Sequence, residues 1–222
     1  MKTQFVHLHL HTQYSLLDGA IRLSDLFKRA KEYKMSAIAM TDHGNMYGAI
    51  DFYKQSLAKG IKPIIGCELY VAPSSRFEKQ QGAGAARHLT VLAKNEIGYK
   101  NLMKLSSLGF LEGYHYRPRV DKELLSKHAD GLIALSGCLH GVIAEHLEND
   151  NGMEKALETA KEYRNIFGDS NFYLELMENN LQQQKNINMQ LIDISNKLDI
   201  PLVATNDCHY LDQKDHEAHE VM

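Results

Sequence analysis

"HLHLHT", running from His7 to Thr12, alternates three histidines with two leucines. Side chains along a β-strand point to opposite faces with a period of two. His7, His9 and His11 therefore share one face of a strand, and Leu8 and Leu10 share the other. Three imidazoles make a poor hydrophobic core, so that face must look onto something polar, and a metal ion is the partner to test.

The same strand-like texture returns along the chain. Strands are expected over 4–11, 36–43, 62–73, 88–95, 131–137, 171–177 and 201–207. Helical runs lie between them: "DLFKRAKEYK" with Ser24 as its N-cap, "GAIDFYKQSLAKG" closed by Gly60, "GYKNLMKLSSLGF", "GMEKALETAKEYRNIFG" and "LQQQKNINMQLIDISNKL". The polar "SSRFEKQQGAGAA" (74–86) reads as a mobile loop. Strand–helix repetition implies parallel strands with helical crossovers. An open doubly wound sheet that binds a nucleotide would carry a glycine-rich phosphate loop after its first strand, and this chain has none. Polar residues gather instead at the C-terminal ends of many strands, where a barrel assembles its site. The expected fold is α/β, a (β/α) barrel of about seven strands, in one domain over 1–222.

Bulk properties narrow the function. The chain has 222 residues, is 44% hydrophobic and carries a net charge of −3. It can build one sizeable core, but it has no basic field of the kind that wraps nucleic acid. Contact with DNA must then be local or made through bound cations. Three widely spaced cysteines argue for a reducing compartment rather than a disulfide framework. No stretch reads as a signal peptide or a membrane span, so a cytoplasmic protein without a membrane partner is expected. The final "DQKDHEAHEVM" stops in what reads as a helix, which suggests a fragment of a longer chain.

Five strand ends carry the chemistry: "HLHT", "TDHGN", "GCEL", "SGCLHG" and "NDCHY". Any one of them alone reads as a hydrogen-bonded core residue or a cap. Their recurrence in register reads as a shared metal centre, made from residue types that bind zinc, manganese or iron. His9 and His11, nearest the strand's end, form a chelating pair, with His7 one step deeper. Asp207 and His209 share a face with Cys208 turned away. Alternation sends Cys67 into the core and Glu68 inward, where a carboxylate amid histidines can bridge two cations. Asp42, beside His43, is either a ligand or the support of one. His115, His128, His146, His216 and His219 read as solvated or capping residues, and His140 as the start of a helix. Arg117 and Arg119 in "YRPRV" offer phosphate contacts, although the segment reads first as a solvated loop.

The combination of "HLHLHTQYSLLDGA", "AIAMTDHGNMYGAIDFY", "IIGCELYVAP", "HLTVLAKNEIGYKNLMKLSS", "ALSGCLHG" and "VATNDCHYL" resembles the PHP (polymerase and histidinol phosphatase) family over nearly the whole chain. "SLLDGA", "TDHGNMYG" and "GYKNLMKLSS" are similar to the branch found in bacterial replicative DNA polymerases. The resemblance implies a distorted seven-stranded barrel holding up to three divalent metal ions, zinc, manganese or iron. One would take His9, His11, Glu68 and Asp207. A second would share Glu68 and add His88 and Cys138, where free-standing members carry histidine in place of the cysteine. A third would take Asp18, His43 and His209. His88 stands apart, because it precedes its strand rather than ending it.

The implied activity is a metal-dependent phosphoesterase, and in the polymerase branch a proofreading 3′–5′ exonuclease centred on Glu68, Asp207, His9 and His11. Clustered cations acidify water and clamp phosphate oxygens, so no Ser or Cys nucleophile is required. The implied partners are a DNA 3′ end, the remaining domains of a polymerase α subunit and a separate proofreading subunit. No polymerase palm is expected within these residues. Two alternatives stay open: a non-catalytic, metal-stabilised docking platform, and a free-standing histidinol-phosphatase-like enzyme, against which the polymerase-type stretches count.

Overall fold

The computed structural model describes residues 5–80, 82–148 and 151–221. In chain order the elements are α1 (Leu23–Glu32), β1 (Ala37–Met40), α2 (Ala49–Ala58), β2 (Lys62–Val71), β3 (Arg87–Ala93), α3 (Glu96–Leu111), β4 (Arg119–Val120), α4 (Lys122–Lys127), β5 (Leu132–Leu135), α5 (Ala144–Leu147), α6 (Met153–Phe167), β6 (Phe172–Met177), α7 (Gln182–Leu198), β7 (Leu202–Thr205) and α8 (His216–His219). No helix among the described residues is long and apolar enough to cross a membrane.

The strands lie in the order β1-β2-β3-β5-β6-β7, with the two-residue β4 beside β2. The β1–β2, β2–β4, β5–β6 and β6–β7 pairs are parallel, as strand–helix alternation predicts. β3 departs from the expectation and is antiparallel to both β2 and β5. Parallel neighbours need a crossover, but among its described residues the link between β2 and β3 contains only a short 3-10 turn at Ala83–Ala85. The chain therefore stays at one end of the sheet and runs back down.

The expected first strand is not regular. Its Gln4 lies outside the described residues, and the remainder bonds to both edges of the sheet and closes it. On one side Ala39 N–H donates to His7 O at 2.9 Å and Thr41 N–H to Leu10 O at 2.9 Å. An advance of three residues along the segment, from His7 to Leu10, thus matches an advance of two, from Ala39 to Thr41, at the end of β1, which is the count of a β-bulge. The Thr41 hydroxyl fills the gap by accepting the Leu10 N–H at 2.8 Å. On the other side His11 N–H donates to Cys208 O at 2.8 Å and Cys208 N–H to His9 O at 3.3 Å. The result is a closed, distorted barrel.

Local chemistry explains the flanking helices. α1 starts one residue before Ser24, which is helical rather than a cap. Arg22 holds the N-cap position without a side-chain bond, and Gln13 Oε1 accepts the Leu23 N–H at 3.3 Å instead. α1 buries Leu23, Leu26 and Phe27 against Leu10, Ile38 and Phe52, each worth about 1.5–3 kcal/mol over exposure. α2 ends where expected, with Gly60 at φ +69° just past the C-cap. α3 is capped by Asn95, whose side chain accepts the Gly98 N–H at 2.9 Å. A Cβ on Gly98 would lie 1.7 Å from Gly131 O, so only glycine lets α3 seat against the start of β5.

The segment 74–86 is not free. Arg76 is buried and its guanidinium bonds Asp121 at 3.0 Å and Glu112 at 2.7 Å. Arg119 donates to the carbonyls of Gly113, Arg76 and Glu78. These ties anchor the first half of the expected mobile loop; Gln81 lies outside the described residues. They also show Arg119 to be an internal strut rather than a solvated or phosphate-facing side chain.

Inside the barrel, polarity is divided between the ends. Ala39, Leu92 and Leu135, flanked by Leu8, Ile64, Ile133, Tyr173 and Val203, fill the lower lumen. That mouth opens into an apolar cavity of about 940 Å³. The opposite mouth is polar.

Candidate metal centre

The polar mouth is ringed by the C-terminal ends of β1, β2, β5 and β7 and by the N-terminal end of β3. In the β2–β3 register Glu68 faces Thr90 and Tyr70 faces His88. His88 stands at the start of β3, not at its end, and still reaches the site because β3 is reversed, which resolves its odd position in the sequence.

Three groups of donor atoms converge there: His9, His11, Glu68 and Asp207; His11, His43 and His209; His43, Glu68 and His88. In the first group His9 Nε2 lies 2.8 Å from Glu68 Oε2 and 3.3 Å from Asp207 Oδ1, and His11 Nε2 lies 3.0 and 3.1 Å from the same two oxygens. Glu68 is central to all of this. Its Oε2 is 3.5 Å from His43 Nδ1, and its Oε1 abuts His88 Nδ1. Asp18 Oδ2 lies 3.1 Å from His43 Nε2 and 3.9 Å from His209 Nε2. Cys138 Sγ stands 3.8 Å from His88 Nδ1, beside the convergent groups rather than within them.

Hydrogen bonds set which imidazole nitrogen faces the centre. An ionised carboxylate can only accept. His9 Nδ1, 2.7 Å from Glu175 Oε1, therefore carries a proton; Nε2, 2.8 Å from Glu68 Oε2, carries one too in the imidazolium and is the atom whose lone pair a cation would take in the neutral ring. Ser15 Oγ donates to Asp42 Oδ1 at 3.0 Å, so it accepts from His11 Nδ1 at 3.0 Å, and His11 Nε2 is likewise free. His209 Nδ1 donates to Asp207 O at 3.0 Å. With the rings neutral, lone pairs on nitrogen face lone pairs on carboxylate oxygen in a buried space, which either a proton or a cation must separate. His11 Nε2, His43 Nδ1, Asp18 Oδ1, Glu68 Oε1 and Asp207 Oδ1 make no hydrogen bond. Divalent cations satisfy this donor set, and the residues present fit them.

Two supporting carboxylates complete the arrangement. Asp42 is buried and accepts from Thr12 N–H at 2.6 Å, Thr12 Oγ1 at 2.8 Å and Ser15 Oγ, so it supports His11 instead of facing the centre. Glu175, in the middle of β6, escapes sequence reasoning altogether. It accepts from Thr205 Oγ1 at 2.5 Å and Gly137 N–H at 3.0 Å as well as from His9. Gly137 meets it with φ +86°, a conformation few other residues adopt. The only sequence signal was a lone acid in the apolar run "FYLELM".

The remaining candidates separate. Asp207 and His209 both reach the site, but by a turn rather than strand alternation: β7 ends at Thr205 and Asp207 has φ +48°. That strained conformation, tolerated best by Gly, Asn and Asp, aims the carboxylate inward. Cys208 turns away, its Sγ 3.5 Å from His7 Nδ1, which explains why His7 is not with the other two. Arg117 and His140 line the 310 Å³ cleft above the donor atoms. His219 is not merely solvated: its Nε2 donates to Asp18 O at 2.8 Å and its ring lies 5.9 Å from His209.

Electrostatics match the geometry. Burial alone would lower the His9 pKa, but Asp207, Glu175 and Glu68 outweigh it and raise it well above the usual imidazole value. For His11 burial is again outweighed, by Asp207 and Glu68, and the pKa rises to about 9. Burial opposes ionisation of Glu68, but His88, His11 and His9 hold its carboxyl well below the usual range. Cations and these imidazole protons compete for the same nitrogen atoms. Burial pushes the Cys138 thiol well up.

Comparison with known proteins agrees with the fold. The PHP domain family model matches residues 7–179. The chain is 48% identical over 229 residues to the DNA polymerase III subunit alpha of Aquifex aeolicus, covering 100% of this chain and 20% of that protein. It is 49% identical over 223 residues to the subunit of the same name from Treponema pallidum, covering 100% of this chain and 19% of that protein. The chain spans about a fifth of the length of these curated relatives. A solved structure from Bifidobacterium adolescentis, named provisionally as a metal-dependent phosphoesterase, superposes with TM-score 0.56 at 14% identity, covering 94% of this chain and 88% of that one. At that identity the likeness is one of fold.

Proposed function

The chain belongs to the PHP domain family, and on that premise we propose that it is a metal-dependent phosphoesterase of a replicative polymerase α subunit, acting as a 3′–5′ exonuclease on the growing DNA strand. The observation that carries this is the facing of His9 and His11 Nε2 atoms onto Glu68 and Asp207 oxygens at 2.8–3.3 Å, at the base of an open cleft. The polymerase α subunits among its relatives supply the DNA context.

His9, His11, Glu68 and Asp207 would hold one divalent cation; Glu68, His88 and Cys138 a second; and Asp18, His43 and His209 a third. When bound, such cations make hydroxide accessible near neutral pH and neutralise charge on phosphate oxygens. The chain's own residues do the rest. Glu175 and Asp42 lock the imidazoles in one orientation, so the donor set is preorganised. Arg117 on the cleft wall offers a planar donor fork to a phosphate oxygen. His140, on the same wall, can donate to the departing strand.

The second reading, a docking platform for the other polymerase domains or a proofreading subunit, draws on the 940 Å³ apolar mouth at the far end of the barrel. One experiment separates the two. The purified chain is analysed for bound metal and assayed for nucleotide release from 3′-mismatched DNA, beside Asp207→Asn and His9→Ala. Metal-dependent release that disappears in both variants supports the exonuclease. Activity that survives them unchanged belongs to a contaminant, and a metal-loaded chain that cuts nothing is a platform.

A further inference from the structure

Three exposed aromatic rings run in a row beside the segments that carry His43 and Arg117. The ring centroids of Tyr47 and Phe110 are 6.3 Å apart, and those of Phe110 and Tyr114 are 6.2 Å apart with planes within 19° of parallel. Tyr47 is 60% exposed, Tyr114 52% and Phe110 36%. The row joins the metal centre through short stretches of chain at both ends. Tyr47 lies four residues after His43, and Tyr114 three residues before Arg117. The three segments pack together: Ser106 Oγ donates to Gly44 O at 3.4 Å, and a Cβ on Gly44 would meet Pro118 at 2.6 Å. Arg117 forms no ion pair among the described residues; its guanidinium lies 5.5 Å from the Tyr70 ring, facing the cleft.

Flat rings carried on the same packed segments as a guanidinium without an ion pair are the makeup of a surface for single-stranded nucleic acid. Every base has a π-face, so stacking holds a strand without regard to sequence. The net charge of −3 supplies no long-range attraction for a polyanion, which leaves stacking to carry much of the affinity. We propose that Tyr47, Phe110 and Tyr114 form the track on which single-stranded DNA lies as its 3′ end enters the cleft. The proposal rests on the phosphoesterase reading and gives it a selectivity. A paired end must unstack before its bases can reach the rings, and unstacking costs least at a mismatch.

The test uses the whole chain with manganese. Binding of a fluorescein-labelled oligothymidylate is read by anisotropy for wild type, Tyr47→Ala, Phe110→Ala, Tyr114→Ala and Tyr114→Trp. Hydrolysis of bis(4-nitrophenyl) phosphate, too small to span the row, is read in parallel. Each alanine should weaken oligothymidylate binding by roughly fivefold or more, while Tyr114→Trp restores it and turnover of the small diester stays at the wild-type rate. A blunt duplex should bind more weakly than the single strand. Wild type that fails to bind oligothymidylate, alanine variants within twofold of wild type, or a duplex that binds equally well each overturns the track. Failure of wild type to hydrolyse the small diester overturns the phosphoesterase reading instead, and leaves the anisotropy result to judge the track by itself. Docking of another protein domain on these rings would show as unchanged DNA affinity.

Discussion

Glu175 decides which nitrogen of His9 faces the candidate metal centre. Its Oε1 lies 2.7 Å from His9 Nδ1 and, because an ionised carboxylate only accepts, holds a proton there; the ring is thereby oriented with Nε2 turned to Glu68 and Asp207. Glu175→Gln keeps the shape of the side chain but can present an N–H to the imidazole. Metal affinity should fall by about 10–100-fold, measured by competition with a chromogenic chelator. Unchanged affinity would show that Glu175 does not set the His9 orientation.

Metal binding should stabilise the fold. A ligand that binds only the native state adds about 2.7 kcal/mol at a hundred times its Kd, so manganese or zinc should raise the thermal midpoint and a chelator should reverse the rise. In His9→Ala and Asp207→Asn most of this shift should be lost. A wild-type chain whose midpoint ignores both metal and chelator has no metal centre.

Cys138 sits at the edge of the donor set, and spectroscopy can assign it. Cobalt substituted for zinc gives a thiolate-to-metal charge-transfer band when sulfur is a ligand. The band should be present in the wild type and absent in Cys138→Ser. Its persistence in the variant, or its absence from both, removes Cys138 from the ligands.

The two arginines of "YRPRV" should behave in opposite ways. Arg119 is buried and bonds three carbonyls. Arg119→Ala orphans those acceptors, at about 1–3 kcal/mol for each one left unsatisfied, and urea denaturation should show the loss. Arg117 is partly exposed on the cleft wall. Arg117→Ala should leave stability within about 0.5 kcal/mol of wild type and raise KM for a phosphodiester. Equal destabilisation by both substitutions would count against a binding role for Arg117.

Local pattern alone pointed to much of the fold and to the polar mouth where the candidate ligands gather. The period of two in "HLHLHT" put His9 and His11 on one face, because strand geometry is a property of the backbone and needs no partner. Alternation likewise separated Glu68 from Cys67. Strand–helix repetition pointed to the barrel, and the acidic and imidazole side chains at successive strand ends pointed to its polar mouth. Those inferences depend on contacts within a few residues.

Other features exist only when distant segments meet. The reversal of β3 follows from a link that lacks a crossover helix, and it alone brings His88 to Glu68. Glu175 acquires its role from His9, Thr205 and Gly137, none of them near it in sequence. Arg119 reads as solvated until the carbonyls of Gly113, Arg76 and Glu78 close around it. By itself the sequence determined which side chains were available to bind metal and, within the regular strand β2, that Glu68 and Cys67 stand on opposite faces. Tertiary structure decided which nitrogen each histidine presents and which charges are buried together, because tautomer, desolvation and donor distance depend on how the barrel closes.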